Sequence, residues 1–259
     1  MRLDWAQRRS VEFEQLDPEK SIAILPTAAI EQHGPHLPVG TDTMIMQGML
    51  ERFRNNCPAD IDPWILPIQA VGKSNEHLWA RGSLTLSAAD ALSTWTDVGL
   101  SVARAGFKKI VIVNSHGGNL DLISILSREL RVRAGMFAVK CQWSSFGHPD
   151  SLYTSEELKY GIHGGDVETS LMLAFNPDCV DMSQAKDFRS SAETAVIPPI
   201  GPISRGWIAS DLNEEGTVGN ASLATAEKGE VTAKFQVDGF IDLLKKVTKA
   251  DIPTAPSTL

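Results

Sequence analysis

Residues 110–113, with the sequence IVIV, leave few choices of fold. A strand that is apolar on both faces must be covered on both sides. Three more β-rich runs accompany it, at residues 21–25, 64–68 and 136–141. Segments with helical spacing separate these runs, and this alternation is typical of βαβ crossovers. The sequence therefore predicts an α/β protein with a mainly parallel central sheet.

The spacing of apolar residues predicts five helices. They cover residues 42–53, 88–105, 120–133, 165–175 and 224–246. Residues 183–222 are rich in Ser, Gly and Pro and lack periodicity, so we expect an ordered loop that covers a site or an interface. Neither a repeat nor a linker divides the chain, and we expect residues 1–259 to form a single domain.

Composition narrows the function classes. The formal net charge is −8, from 24 basic and 32 acidic residues, which argues against nucleic acid or an anionic membrane as partner. The three cysteines show no CxxC spacing and favour neither a disulfide scaffold nor a thiolate zinc site. The N-terminal residues do not resemble a secretory signal, and no apolar run reaches the length of about 20 residues that spans a bilayer. We expect a soluble cytoplasmic protein.

Three clusters contain histidine, and the first and third of them also contain carboxylates. The first two follow predicted strands, and the third opens a predicted helix. In open parallel sheets, ligands bind beyond the carboxyl ends of the strands, so we expect the first two clusters to meet. In chain order, the clusters contain Glu31, His33 and Asp42; His116; and His163 with Glu168.

These residue types predict a metal site. Imidazole nitrogen and carboxylate oxygen suit Zn²⁺, Mn²⁺ or Fe²⁺. Glu31 and His33 could each face a different ion, and Asp42 could bridge two ions with its two oxygens. Two cations about 3.5–4 Å apart would activate a shared water and polarise a carbonyl group.

The third cluster predicts proton transfer. His163 precedes a predicted helix, whose dipole disfavours the imidazolium, so a neutral ring there could take or give a proton. Glu168 could reach a metal ion or instead a side chain that binds one, and its position along the chain does not decide between them. We interpret His77 as a buried, satisfied residue, and Glu156 with Glu157 as the solvated start of a helix.

Several motifs of the sequence resemble those of a known protein family. Residues 26–38, PTAAIEQHGPHLP, followed by Asp42, resemble the opening motif of the creatininase (creatinine amidohydrolase) family. Further matching motifs occur in order over about residues 20–235. They are GKSNEH at 72–77, VNSHGGN at 113–119, HGGDVETS at 163–170 and EGTVG at 215–219.

The resemblance implies a three-layer α/β/α fold, a cytoplasmic homohexamer, and a binuclear site for Zn²⁺ with Mn²⁺ or Fe²⁺. It implies that Glu31, Asp42 and His116 hold one ion, while His33 and the bridging Asp42 hold the other. It also places the substrate near Ser74 and makes His163 the proton shuttle. We expect Gly117 to contact the substrate as well.

Two departures from the family pattern concern the pocket. Creatinine-hydrolysing members have a His-Tyr-Glu run whose glutamate binds the second ion, whereas this chain has His116-Gly117-Gly118. Glu168 or a water is expected in place of that glutamate. Those members also have a tryptophan four residues before the shuttle histidine, where this chain has Lys159. We expect Lys159 and Trp143 to contact the substrate.

The leading hypothesis is a binuclear metal-dependent amidohydrolase that cleaves a C–N bond of a small amide, either open-chain or cyclic. Enzymatic alternatives are an N-formyl deformylase of the formamidopyrimidine type and a mycofactocin-type peptidase. The non-enzymatic alternative is a ligand-binding subunit stabilised by one structural ion. An open coordination position separates the two classes, because structural sites are closed by protein ligands.

Overall fold

A computed structural model describes residues 3–254, and a four-stranded parallel sheet lies at its centre. The strand order is β2-β1-β3-β4, and all three pairings are parallel. Ile24 pairs with Val111, so the two central strands run side by side. The bounds are β1 (Ser21–Thr27), β2 (Asp62–Ile65), β3 (Lys109–Asn114) and β4 (Phe137–Gln142).

All five predicted helices are present, with ends shifted by at most three residues. A short helix that starts around Glu156 and Glu157 is present as interpreted, whereas another at Ala209–Leu212 was not predicted. The helices are α1 (Thr41–Asn56), α2 (Ala88–Arg104), α3 (Leu120–Ala134), α4 (Ser155–Tyr160), α5 (Asp166–Phe175), α6 (Ala209–Leu212) and α7 (Ala226–Lys249).

The second strand was predicted at residues 64–68 but lies at Asp62–Ile65. Leu66 still donates its backbone N–H to the carbonyl of Ile24, at 2.9 Å. Pro67 then interrupts the ladder, because proline has no backbone N–H to donate. The strand therefore ends before its apolar run does.

Alternate residues of β1 and β3 enter two separate cores. One core packs the sheet against α1, α5 and α7, and the other packs it against α2 and α3. This arrangement confirms an α/β fold with a parallel central sheet and gives it three layers, α/β/α. The first core contains Ile22, Ile24, Val111 and Val113, and the second contains Ala23, Leu25, Ile110 and Ile112.

Helices α5 and α7 cross at very short range. A Cβ atom added to Gly229 of α7 would lie 1.9 Å from the carbonyl oxygen of Ser170 on α5. Beside this crossing, Lys228 Nζ lies 2.6 Å from Oδ2 of Asp166, whose side chain is 1% exposed. The glycine and the ion pair fix the first turn of α5 against α7.

The long segment at residues 183–222 is mostly irregular, as predicted. Its ends meet in a short antiparallel pair, β5 (Asp187–Phe188) with β6 (Gly219–Asn220). An isolated bridge joins Val218 to His163, so the segment reaches the third histidine cluster.

The interpretation of Glu157 as a solvated residue is wrong, because its side chain is buried. Its carboxylate accepts backbone hydrogen bonds from Val167, at 3.2 Å, and from Asn220, at 3.0 Å. Glu157 therefore ties α4 to the first turn of α5 and to β6. Burial raises the pKa of this carboxyl group from 4.5 to about 7.

Within residues 3–254, no helix is both long enough and apolar enough to cross a membrane. That residues 1–259 form a single domain stays a prediction.

Replacing Lys228 by methionine should lower the free energy of unfolding by about 3 kcal/mol, because it leaves the buried Asp166 carboxylate without its cation. Urea denaturation measures the change. The matched control is Lys234→Met on the same helix, since Lys234 pairs with an exposed Asp238. The control should lose less than about 1 kcal/mol. Equal losses for the two variants would show that the buried Lys228–Asp166 pair stabilises the fold no more than an exposed pair does.

The contribution of Glu157 to the free energy of unfolding should fall as the pH rises from about 4.5 to about 7, because over this range folded Glu157 keeps a proton that the unfolded chain has released. The contribution of this group is at most about 3 kcal/mol. Denaturation midpoints across this range measure it. Glu157→Gln should flatten the profile, whereas Glu156→Gln, at an exposed neighbour, should not. Identical profiles for both variants would exclude Glu157 as the source.

Candidate metal centre

Two neighbouring strand ends bring the first two clusters together. Glu31 and His33 lie in the loop after β1, and His116 lies two residues after β3. Asp42 occupies the first turn of α1, which begins at Thr41. Because β1 and β3 are paired and parallel, their carboxyl ends open at the same edge of the sheet.

Glu31 is at the centre of this group. Its Oε1 lies 3.2 Å from Nδ1 of His116, 3.3 Å from Nε2 of His77 and 3.5 Å from Nδ1 of His163. Nδ1 of His116 also lies 3.4 Å from Oδ2 of Asp42. Glu31, Asp42 and His116 thus converge on one small volume.

Asp42 also faces a second group, through its other oxygen. Its Oδ1 lies 3.8 Å from Nε2 of His33. The same nitrogen lies 3.7 Å from Oε2 of Glu168, in the first turn of α5. Gly164 donates its backbone N–H to this Oε2 at 2.6 Å and so holds the glutamate toward the centre.

Backbone carbonyls set which nitrogen each histidine offers. Nε2 of His116 donates to the carbonyl of Lys73 at 3.0 Å, so the neutral ring leaves Nδ1 without a proton. Nδ1 of His33 donates to the carbonyl of Glu31 at 3.0 Å, which leaves Nε2 without one. Both bare nitrogens face carboxylates. This is the arrangement of metal-binding histidines, whose second nitrogen is anchored elsewhere.

Several buried atoms in this group have no hydrogen-bond partner within the described part of the chain. They are both carboxylate oxygens of Glu31, Nε2 of His33 and Oδ2 of Asp42. Buried polar atoms normally have a hydrogen-bond partner. Four buried atoms without one, all in the same group, therefore need an explanation. A bound cation supplies one.

The ionisation of the group also favours a cation. Burial raises the pKa of Asp42 well above its usual value, and the Glu31 carboxylate adds to the effect. Burial likewise raises the pKa of Glu168. Burial opposes ionisation of Glu31 too, but the surrounding imidazoles, His116 first, hold its pKa well below its usual value. Burial disfavours charge on His116, yet Glu31 and Asp42 outweigh it and raise its pKa. A divalent ion would neutralise these carboxylates in place of protons.

His163 stays neutral beside the group. Burial and the neighbouring His33 lower its pKa to about 4. Its Nε2 donates to the carbonyl of Gln32 at 2.7 Å, and its own carbonyl accepts from Oγ1 of Thr217. The bare Nδ1 therefore faces Glu31, where it can accept a proton.

The residues fit divalent metal ions. Donor atoms of Glu31, Asp42 and His116 lie within 4.8 Å of one another, as do those of His33, Asp42 and Glu168. Two further groups within the same distance combine Glu31 with His33 and His163, or with Glu76 and His77. Nitrogen and oxygen donors without thiolates suit Zn²⁺, Mn²⁺ or Fe²⁺.

The four residues expected to contact the substrate lie in different surroundings. Ser74 is fully buried, and its Oγ lies 3.4 Å from Nε2 of His116. Gly117 is exposed, with open space where a side chain would project. Trp143 lies in the hydrophobic core, where its ring packs on Phe240 and its Nε1 donates to Sδ of Met46 at 3.4 Å, so it is not placed at the metal centre as Ser74 is. Lys159 is exposed on α4, and its Nζ lies over the ring of the adjacent Tyr160.

Gly118 adjoins a crowded corner of the centre. A Cβ atom at this position would lie 2.3 Å from Oε1 of Glu76 and 2.4 Å from Nε2 of His116. Glu76 is held there by Lys73, whose Nζ lies 2.7 Å from its Oε2. The carboxylate of Glu76 thus takes up the space beside His116 that a side chain at residue 118 would need.

Sequence reasoning missed His77, Glu76 and Gln32. His77 is buried, as interpreted, but it faces Glu31 rather than an ordinary core. Its adjacency to Glu76 in the GKSNEH motif was the available signal. Nothing in the spacing along the chain indicates that residues 72–77 and 31–33 meet.

Comparisons with known proteins agree with this geometry. The creatininase family, described as creatinine amidohydrolase, matches residues 6–244. The mycofactocin precursor peptide peptidase of Mycolicibacterium smegmatis is 30% identical, over 90% of this chain and 87% of the relative. The creatinine amidohydrolase of Pseudomonas putida is 28% identical, over 87% of this chain and 89% of its own length.

A solved structure described as the manganese form of creatininase superposes with a TM-score of 0.72 at 25% identity. The match covers 96% of this chain and 99% of that one. Family match and structural match thus extend over nearly the whole chain, and the histidine and carboxylate clusters lie within them. The chain belongs to the creatininase family and is a hydrolase.

Proposed function

We propose that this protein is a binuclear metal-dependent amidohydrolase that adds water across a C–N bond of a small amide. The observation on which the proposal rests is the position of Asp42. Its two oxygens face two different sets of donors, Glu31 with His116 and His33 with Glu168. A carboxylate placed in this way suits two adjacent cations, with Zn²⁺ beside Mn²⁺ or Fe²⁺ as the proposed pair.

Bound divalent cations would supply an activated water and polarise the substrate carbonyl. The residues of the chain do the rest. Glu31, His33, Asp42, His116 and Glu168 hold and orient the ions. Because Nδ1 of His163 is bare and faces Glu31, it can receive a proton from the nucleophile and give it to the leaving nitrogen.

Glu168 is proposed as a ligand of the second ion. The family glutamate that would bind this ion is replaced by Gly118, where Glu76 occupies the neighbouring space. Glu168 comes from helix α5 instead, and its Oε2 is 3.7 Å from the unprotonated Nε2 of His33. Its side chain is 23% exposed, so this half of the centre is the one that solvent and substrate can reach.

The proposed substrate class is a small amide, cyclic or N-formylated, and Ser74, Gly117 and Lys159 remain candidates for contacting it. One observation favours a second candidate, the processing of a larger amide such as a peptide. Gly117 is exposed and leaves open space beside His116. The relative from M. smegmatis acts on a precursor peptide.

We also propose a cytoplasmic homo-oligomer, with the hexamer that the family resemblance implies. Exposed apolar side chains in the irregular segment support association of copies. They include Val196, which is 99% exposed, and Ile203, which is 79% exposed.

His116→Ala should bind fewer metal ions than the wild type, because it removes the imidazole whose Nδ1 lies near both Glu31 and Asp42. Hydrolysis of the best substrate in a panel of creatinine, hydantoins, formamides and lactams should fall more than about 100-fold. Elemental analysis and turnover measure the two effects. His148→Ala is the control, since His148 lies outside the centre. Full metal content and activity in His116→Ala would overturn the proposal.

Glu168→Gln should lower the bound metal by about one ion per chain and reduce turnover, because Glu168 completes the second donor set. Glu227→Gln is the matched control, as an exposed glutamate in the first turn of another helix, α7. If Glu168→Gln keeps two ions per chain while its activity falls, then Glu168 acts through another ligand and the proposed coordination is wrong.

A further inference from the structure

The side chain of Gln32 lies between two backbone groups that fix its orientation. Its Oε1 accepts the N–H of Gly34 at 2.9 Å, and its Nε2 donates to the carbonyl of Gly216. A backbone N–H can only donate and a carbonyl can only accept. These two contacts therefore determine which end of the amide is oxygen and which is nitrogen.

The same amide nitrogen sets the tautomer of His77. Nε2 of Gln32 lies 2.8 Å from Nδ1 of His77. Because the amide nitrogen donates, Nδ1 accepts, and the ring proton must be on Nε2. This Nε2–H lies 3.3 Å from Oε1 of Glu31, and His77 is only 2% exposed. A buried N–H dipole thus faces the carboxylate at the centre of the site.

The backbone carbonyl of Gln32 orients a second histidine. It accepts from Nε2 of His163, so the bare Nδ1 of that ring faces the same Oε1 of Glu31. The rings of His77 and His163 lie 4.4 Å apart. The two neighbouring imidazoles have the same tautomer, with the proton on Nε2, but they place different ring nitrogens near the Glu31 carboxylate. His163 presents a lone pair, and His77 presents an N–H.

We propose that Gln32 and His77 are positioning residues of the metal centre. Gln32 holds His77 in the tautomer whose protonated Nε2 lies beside Glu31, and the His77 ring in turn holds the Glu31 carboxylate in its position toward the ion shared with Asp42 and His116. The inference rests on the proposed function, since it concerns the same metal centre.

His77 is thereby distinguished from the metal ligands, although it lies within ligand distance of Glu31 and Glu76. A nitrogen that bears a proton has no lone pair for an ion. Glu76 is also engaged, because its Oε2 lies 2.7 Å from Nζ of Lys73. In this proposal His77 therefore holds Glu31 in place and does not itself bind an ion.

The test compares His77→Gln with His77→Asn. The amide nitrogen of glutamine can replace Nε2–H, whereas that of asparagine lies near the position of Nδ1. Affinity for Zn²⁺ is measured by competition with a chelating indicator. His77→Gln should bind within about threefold of the wild type, and His77→Asn should bind about 10–100-fold more weakly. His148→Gln is the matched control outside the centre and should bind like the wild type.

A substitution of Gln32 gives a second, independent measurement if His77→Asn does not fold. The variant used is Gln32→Met rather than Gln32→Glu, because a carboxylate would simply make His77 an imidazolium that keeps its Nε2–H. Methionine removes the amide nitrogen that donates to Nδ1, so the tautomer of His77 is no longer fixed. Zn²⁺ affinity should fall about 10–100-fold, and His77→Gln in the same chain should remove most of that loss, since glutamine has no tautomers.

The outcomes separate the two proposals. A wild-type protein that binds no Zn²⁺ would overturn the proposed function. A wild-type protein that binds Zn²⁺, with equal affinities for His77→Gln and His77→Asn or no effect of Gln32→Met, would overturn only the positioning role.

Discussion

Mutual repulsion among the buried carboxylates of Glu31, Asp42 and Glu168 is the interaction on which the rest of the structure depends. Charges of one sign are costly to bury together, and the cost is lowered only by protons, imidazoles or a cation. The raised pKa values of Asp42 and Glu168, together with the oxygens that lack a hydrogen-bond partner, reflect this energetic cost. The fold keeps these groups in place, and divalent cations provide the compensating charge in the proposed function.

The architecture holds the carboxylates from three directions. Two paired parallel strands supply the loops that bear Glu31 and His116. The first turn of α1 supplies Asp42, and the first turn of α5 supplies Glu168. Helix α5 is itself fixed by the close crossing at Gly229 and by the buried carboxylate of Glu157. Interactions remote from the centre therefore determine its geometry.

The fold was largely readable from the sequence, because the period of apolar residues distinguishes buried strands from helices. The same reasoning placed the second strand too late, since it did not weigh the missing N–H of Pro67. The residues that meet at the strand ends could be anticipated from the topology of parallel sheets. The contacts of His77 and Gln32 could not, because they depend on how two irregular loops pack. The position of Trp143 also eluded prediction, since an aromatic residue after a strand can enter either a pocket or the core.

The crowding between Gly118 and Glu76 couples two positions of the chain. An acidic side chain at residue 118, as in the creatinine-hydrolysing pattern, would collide with the Glu76 carboxylate unless that carboxylate moved away from His116. The Cβ atom of such a side chain would also lie 2.4 Å from Nε2 of His116 and 2.7 Å from the Lys73 carbonyl oxygen, which a change at Glu76 would not relieve. A glutamate ligand at residue 118 therefore requires the backbone after β3 to take a different path, so the donor set and the shape of this loop must change together.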